Sequence, residues 1–271
     1  MIAGYQGISE TGDITTLGNG GSDTTAVAIA AQLGWDCEIY TDVDAIFSTD
    51  PKIYPKARKL NRVTYDEMMQ LSSGGAEILE TRSVELAKKY KVKLFIGKSL
   101  ESDKRKGTYV MDGSFYIEEM PVTGISISDD CSIYSLQGMK NDGTVIAELF
   151  QLLADHNINV DMISKQTYRD NTCTISFSCT DSQSEELDAA LENSKILSEA
   201  TLIKQSSLSI ISLVGVGMAT SPGVASKVFT TLAREGIVYY QITTSEISIS
   251  VTVDSDEKIK AVVALCEAFG L

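Results

Sequence analysis

The sequence predicts an α/β fold over its first 110 or so residues, followed by two smaller α+β units of similar build. Three observations carry this reading. Short apolar runs alternate with helical stretches from Ile2 to Ile96. The second half repeats itself at an offset of about 79 positions. A spare strand, Val122–Ser128, precedes the first copy, while the second copy stops one strand short.

Taken in order, Ile2–Ile8 reads as a strand and Ser9–Thr16 as a polar turn. Gly18-Asn19-Gly20-Gly21-Ser22-Asp23 leads into Thr24–Leu33, whose Ala, Val and Ile content predicts a buried helix. Glycines let a backbone approach an anion closely, and a helix N-terminus offers free N–H groups and positive potential. Cys37–Tyr40 is a short strand, and Thr41–Pro55 is a loop on its Asp, Ser, Thr and Pro content. Thr64–Ser72 and Arg82–Tyr90 read as helices and Val92–Ile96 as a strand. The charged, turn-rich Glu101–Gly107 marks the expected domain boundary.

The repeat aligns Gly138-Met139, Ile146–Phe150, Asn157-Ile158 and Ile163 with Gly217-Met218, Ala225–Phe229, Gly236-Ile237 and Ile242. Each copy reads strand–helix–strand–strand–helix, and the first adds a strand at Thr201–Lys204. The alternating strands Ile133–Leu136, Thr174–Cys179 and Ile247–Val253 are core and sheet, with no chemistry assigned. An unpaired sheet edge would expose a row of backbone donors and acceptors. Val122–Ser128 is therefore expected to complete the second copy's sheet, with the first copy inserted between.

The formal net charge is −14 over 271 residues. Such a chain is repelled by phosphate backbones and anionic membrane surfaces, so nucleic acid and lipid are excluded as partners. There is no apolar run long enough to span a bilayer, and Met1–Gly7 has no signal-like pattern. Five cysteines without C-x-x-C spacing read as reduced, buried thiols in a cytoplasmic protein. His156 is the single histidine, which argues against His-based zinc sites and His-dependent triads. It sits at an expected helix end, and no residue is assigned to a metal site.

The combination of motifs is more specific. Thr15–Ala26, Cys37–Asp44, Ser48–Lys52, Ile53–Leu60, Tyr65–Met68 and Arg82–Ala87 resemble, in the same order, the signature segments of aspartokinases. Val214–Met218, Ser221–Ala225 and Ile242–Ile247 look like that family's C-terminal ACT module. The resemblance covers essentially the whole chain. It implies part of an amino-acid-kinase α/β sandwich over residues 1–108, followed by two ferredoxin-like ACT domains. The first ACT domain, 130–205, is inserted into the second, formed by 120–129 and 206–271.

The resemblance further implies ATP-dependent phosphorylation of L-aspartate to 4-phospho-L-aspartate, with Mg2+, and feedback by lysine or threonine through an ACT-mediated homodimer. Matched residue by residue, Gly20, Gly21, Ser22 and Asp23 line the aspartate and phosphate site. Thr41, Asp42, Phe47 and Lys52 match nucleotide positions, and Phe47 and Lys52 stand where the family usually has Tyr and Arg. Met139, Asn141, Asp142, Val145, Asn159, Val160, Asp161 and Gln166 match effector positions. Asp142 and Asp161 are suitable carboxylates for an ammonium group.

Four departures bear on activity. Asn19 replaces an Arg, Glu77 stands where a nucleotide-binding Lys is usual, and Glu80-Thr81 replace His-Pro. The family's Lys-Phe-Gly-Gly segment is not in this sequence. Each change removes positive or anion-cradling capacity. The expectation is weak or absent turnover by this chain alone. The alternative reading is a non-catalytic, amino-acid-binding regulatory subunit.

Overall fold

A computed structural model of the chain describes residues 1–75, 79–101, 103–113, 120–196 and 200–271. Glu77 lies outside the described residues. The chain divides into two compact units. The larger comprises Met1–Ile127, Ile211–Val251 and Glu257–Leu271, the smaller Ser128–Ile210 and Thr252–Asp256.

The chain opens with an antiparallel ribbon of β1 (Gln6–Ile8) and β2 (Ile14–Thr16), with Ile8 opposite Ile14. The Ser9–Thr16 segment is thus not all turn. The turn is Ser9–Asp13, closed by Ser9 N–H to the Asp13 carbonyl at 2.9 Å. The β-branched Ile14-Thr15-Thr16 then favours extended backbone. Helix α1 (Gly21–Leu33) stops at Gly34, whose φ of 68° suits a left-handed cap.

A four-stranded sheet follows, with order β3-β5-β6-β4. Its members are β3 (Cys37–Thr41), β4 (Arg62–Thr64), β5 (Leu94–Lys98) and β6 (Thr108–Met111). β3 and β5 are parallel, as are β4 and β6, while β5 and β6 are antiparallel. Helices α2 (Tyr65–Ser73) and α3 (Thr81–Tyr90) pack with the sheet around Val27, Met68, Val84, Leu94, Ile96 and Val110. Each such buried side chain contributes roughly 1.5–3 kcal/mol. β6 lies past the boundary suggested at 101–107. That charged segment is a loop inside the sheet, since β5 and β6 on either side of it are hydrogen-bonded to each other.

The repeat region follows, and its first elements are β7 (Gly124–Lys140), α4 (Gly143–Asp155), β8 (Ile163–Thr167) and β9 (Thr172–Cys179). They are succeeded by α5 (Ser184–Glu192), β10 (Thr201–Val214) and α6 (Val224–Arg234). The chain closes with β11 (Tyr239–Thr244), β12 (Ser248–Asp254) and α7 (Lys258–Phe269). In the smaller unit the strand order is β10-β7-β9-β8, and in the larger it is β11-β12-β10-β7. Numbered within its own copy, each gives 4-1-3-2. The spare strand, now the start of β7, therefore stands beside β10 as the second copy's missing member.

The sequence suggests three domains, whereas the structure has two units. Residues 1–111 and the second copy cohere in the larger one, and Glu67 shows how. Glu67 is fully buried and accepts four hydrogen bonds. Two come from the N–H and hydroxyl of Thr64, completing a capping box for α2. The others come from the Thr123 hydroxyl at 2.5 Å and the Val216 N–H at 3.1 Å, just outside β7 and β10. Gly215 is needed beside it, because a Cβ there would meet the Pro121 carbonyl at 2.4 Å.

Candidate functional site

The glycine loop sits at the N-terminus of α1. Gly20 is the N-cap residue, with φ 65°, and Gly18 has φ 81°. The hydroxyls of Thr24 and Thr25 donate back to the Gly20 and Gly21 carbonyls at 3.3 and 2.8 Å, tightening the first turn. First-turn N–H groups, here those of Ser22 and Asp23, have no intrahelical acceptor and face outward with the positive end of the helix dipole. Gly20, Gly21, Ser22 and Asp23 are thus brought together as consecutive residues of one helix start.

A carboxylate crowds this loop. Glu80, the N-cap of α3, packs so closely that a Cβ on Gly20 would lie 2.3 Å from the Glu80 Cβ. Asp23 is half-buried, and its carboxyl is raised above the ordinary range, first by burial and then by the Glu80 charge. Asn19 is exposed and brings no positive charge. The nearby cation is Arg82, which donates to the Leu17 carbonyl at 3.5 Å. Residue identity at position 80 signals the departure in sequence, but the contact with Gly20 is visible only in three dimensions.

A cavity of about 440 Å³ lies in the same unit. It is lined by Phe47, Phe95, Gly97 and Gly107, with Asp44, Lys59, Lys98, Glu101, Asp103 and Lys106 supplying charge. It opens at the carboxyl ends of parallel strands, where open α/β sheets bind ligands. Lys98 ends β5 in register with Thr41, which ends β3. Buried Thr108 pins the loop that carries Phe47. Its hydroxyl accepts from Ile46 N–H at 3.0 Å and donates to the Leu60 carbonyl at 2.6 Å.

The nucleotide positions inferred from the resemblance meet this cavity only in part. Phe47 lines it. Thr41 borders it through its pairing with Lys98, and its hydroxyl donates to Asp42 at 2.9 Å. Lys52 is exposed in a turn, its N–H bonded to Asp50 at 2.8 Å, away from the lining. Lys59, Phe95, Lys98 and Lys106 also line the cavity, although the resemblance implies no role for them. Lys98 is the last residue of an otherwise apolar strand, a signal that becomes readable once β5 is known to run parallel to β3.

The effector positions belong to the smaller unit. Met139 is 1% exposed and packs with Leu136 and Ile175, and Val145 and Val160 lie against the same core. Asp142 caps α4, accepting from Thr144 N–H at 2.9 Å. That bond is the main reason its carboxyl sits below the ordinary range. Asn141 N–H bonds the Asn171 carbonyl at 2.9 Å. Asn159, Asp161 and Gln166 are exposed, and the Gln166 amide oxygen accepts from Tyr168 at 3.2 Å. The polar members thus lie along α4's start, the approach to β8 and β8 itself, while Met139 faces inward.

All five cysteines are free and buried, and burial pushes the Cys131 and Cys266 thiols up to about 12. His156 caps the end of α4, with Nδ1 3.2 Å from Glu186. Among the described residues no cluster of three or more His, Cys, Asp or Glu is placed to hold a metal ion, and no helix is long and apolar enough to cross a membrane.

The amino acid kinase family profile matches residues 1–98, and an ACT domain profile matches residues 211–269. The aspartokinase of Bacillus sp. (strain MGA3) is 42% identical over 273 residues, covering 100% of this chain and 66% of the relative. The solved regulatory subunit of aspartate kinase from Thermus thermophilus is 31% identical. It matches 55% of this chain across 99% of its own, with TM-score 0.51. The chain belongs to the aspartokinase family.

The aspartokinase fold extends over the whole chain. E. coli aspartokinase III in complex with aspartate and ADP (R-state) superposes with TM-score 0.82 at 23% identity, covering 99% of this chain and 60% of that one. The same enzyme in complex with lysine and aspartate (T-state) gives TM-score 0.77 at 24% identity, covering 98% and 59%. These two show shared architecture. The mixed α/β and α+β class expected from the sequence is therefore that of aspartokinases with an ACT domain. The chain spans about two thirds of the length of the curated aspartokinases it matches, 66% in the Bacillus case.

Proposed function

We propose that this chain is the nucleotide-binding and regulatory portion of an enzyme that transfers a phosphoryl group from ATP to the side-chain carboxylate of L-aspartate. The reaction gives 4-phospho-L-aspartate and opens lysine, threonine and methionine synthesis in the cytoplasm. The observation that carries the reading is the 440 Å³ cavity, with two aromatic walls and three lysines, at the carboxyl ends of β3 and β5. Phosphoryl transfer asks a protein mainly to position reactants and neutralise spreading negative charge. In this reading Phe47 and Phe95 hold the base, and Thr41 and Asp42 contact the nucleotide. Beside the Gly20-Gly21 backbone, Ser22 and Asp23 present N–H groups and Ser22 its hydroxyl to phosphate, and the Asp23 carboxylate holds the substrate's ammonium group.

The residues fit ATP with Mg2+. That ion is commonly bound by one or two carboxylates together with the phosphates, and Asp23 supplies a carboxylate beside the anion loop. When bound, Mg2+ would neutralise phosphate charge.

For regulation we assign residues 1–111, with β6 included, to the kinase portion, 130–205 to an inserted ACT domain, and 120–129 with 206–271 to a second. The first ACT domain takes lysine or threonine at Asn141, Asp142, Asn159, Asp161 and Gln166. Two copies join through the exposed ACT sheet edges β8 and β11.

One observation favours a second reading, a non-catalytic regulatory subunit. Glu80 stands against Gly20 and, second to burial, raises Asp23, so the loop faces phosphate with added negative charge. A coupled assay with ATP and aspartate separates the two. Turnover supports the enzyme reading. A thermal shift with lysine or threonine in the absence of turnover supports the regulatory one.

A further inference from the structure

We infer that Lys98 holds the nucleotide's phosphate chain in the β3–β5 cavity, and that Asp44 pairs with it only while the cavity is free of nucleotide. The inference rests on the nucleotide reading above and names a residue that the resemblance does not supply.

The cavity wall is electrically balanced, with Lys59, Lys98 and Lys106 against Asp44, Glu101 and Asp103. A polyphosphate is strongly negative, so it needs a cation that can be released to it. Two of the three lysines serve the 101–107 loop. The Lys59 ammonium donates to the Arg105 carbonyl, and the Lys106 ammonium lies 2.6 Å from Glu101. Lys98 is different. Its partner Asp44, at 2.9 Å, belongs to another segment, the loop after β3.

The two side chains are 53% and 61% exposed, so water screens the pair and little is lost when it opens. A phosphate chain bearing more charge than one carboxylate would displace Asp44. The stem of Lys98 is fixed, because its backbone ends β5 opposite Thr41, a position matched to nucleotide contact. A cation is also missing where the family resemblance places one, since position 19 is Asn.

The test uses the full chain and isothermal titration with ADP and with adenosine, in buffer containing Mg2+. Lys98→Met should weaken ADP about tenfold and leave adenosine unchanged, as expected for loss of one phosphate contact. Lys98→Arg should restore ADP binding to within about threefold. Asp44→Asn, by removing the competitor, should tighten ADP severalfold.

Unchanged ADP affinity in Lys98→Met overturns the contact, and equal weakening of ADP and adenosine makes Lys98 a wall of the cavity only. Unchanged ADP affinity in Asp44→Asn overturns the exchange. If the unsubstituted chain binds neither ADP nor adenosine, the nucleotide reading fails and this inference with it.

Discussion

Glu80 and Asp23 put two carboxyls beside one helix N-terminus, and their mutual repulsion is readable through Asp23. Its raised pKa means that the folded chain holds that proton more tightly than the unfolded chain does. Stability is therefore lost as pH rises from 3.8, the ordinary value, through the raised one, and the loss persists above it. Glu80→Gln should shrink that loss. Urea midpoints across this acidic window should fall less steeply with pH in the variant than in the parent. Equal slopes would mean that burial alone raises Asp23. The loop itself was legible in sequence, because consecutive glycines before a helix constrain backbone and helix start together. The influence of Glu80 was not, since it reaches Gly20 from another helix about sixty residues away.

Short and long elements differ in how visibly the sequence encodes them. α1 and α3 are announced by composition and periodicity, whereas β2 and β4 have three residues each and leave no pattern long enough to read. The Thr64–Glu67 capping box is a local signal, but the second task of Glu67, binding Thr123 and Val216, is set by the fold. Glu67→Ala should lower unfolding free energy by about 3 kcal/mol or more, since two backbone N–H groups and two hydroxyls lose their acceptor. Denaturant titration of the full chain checks this. A change below about 1 kcal/mol would show that water replaces the carboxylate.

Across the whole molecule, the repeat is the feature that sequence displays best, because identical spacing survives substitution. The division into two units is not displayed, since it depends on burial around Glu67 and Gly215 rather than on linker composition. Association belongs to this scale as well. β11 ends its sheet with Tyr239, Tyr240 and Ile242 exposed, and a sheet edge of this kind invites a partner strand. In the dimer proposed above, Ile242→Lys should give a monomer in sedimentation velocity while its circular dichroism stays unchanged. A dimer that persists would move the interface elsewhere.

β7 and β10, neighbours in the sheet, run in opposite directions. Ser209 donates to Asp129 at 2.7 Å and Ser132 to Ser206 at 2.9 Å, so residue numbers climb on β7 as they fall on β10. The two ends of the Ser128–Ile210 stretch are therefore near neighbours. A gene in which that stretch is replaced by a tight two-residue hairpin needs no long tether, and the stretch becomes a cassette that can be removed or exchanged for the matching stretch of a relative.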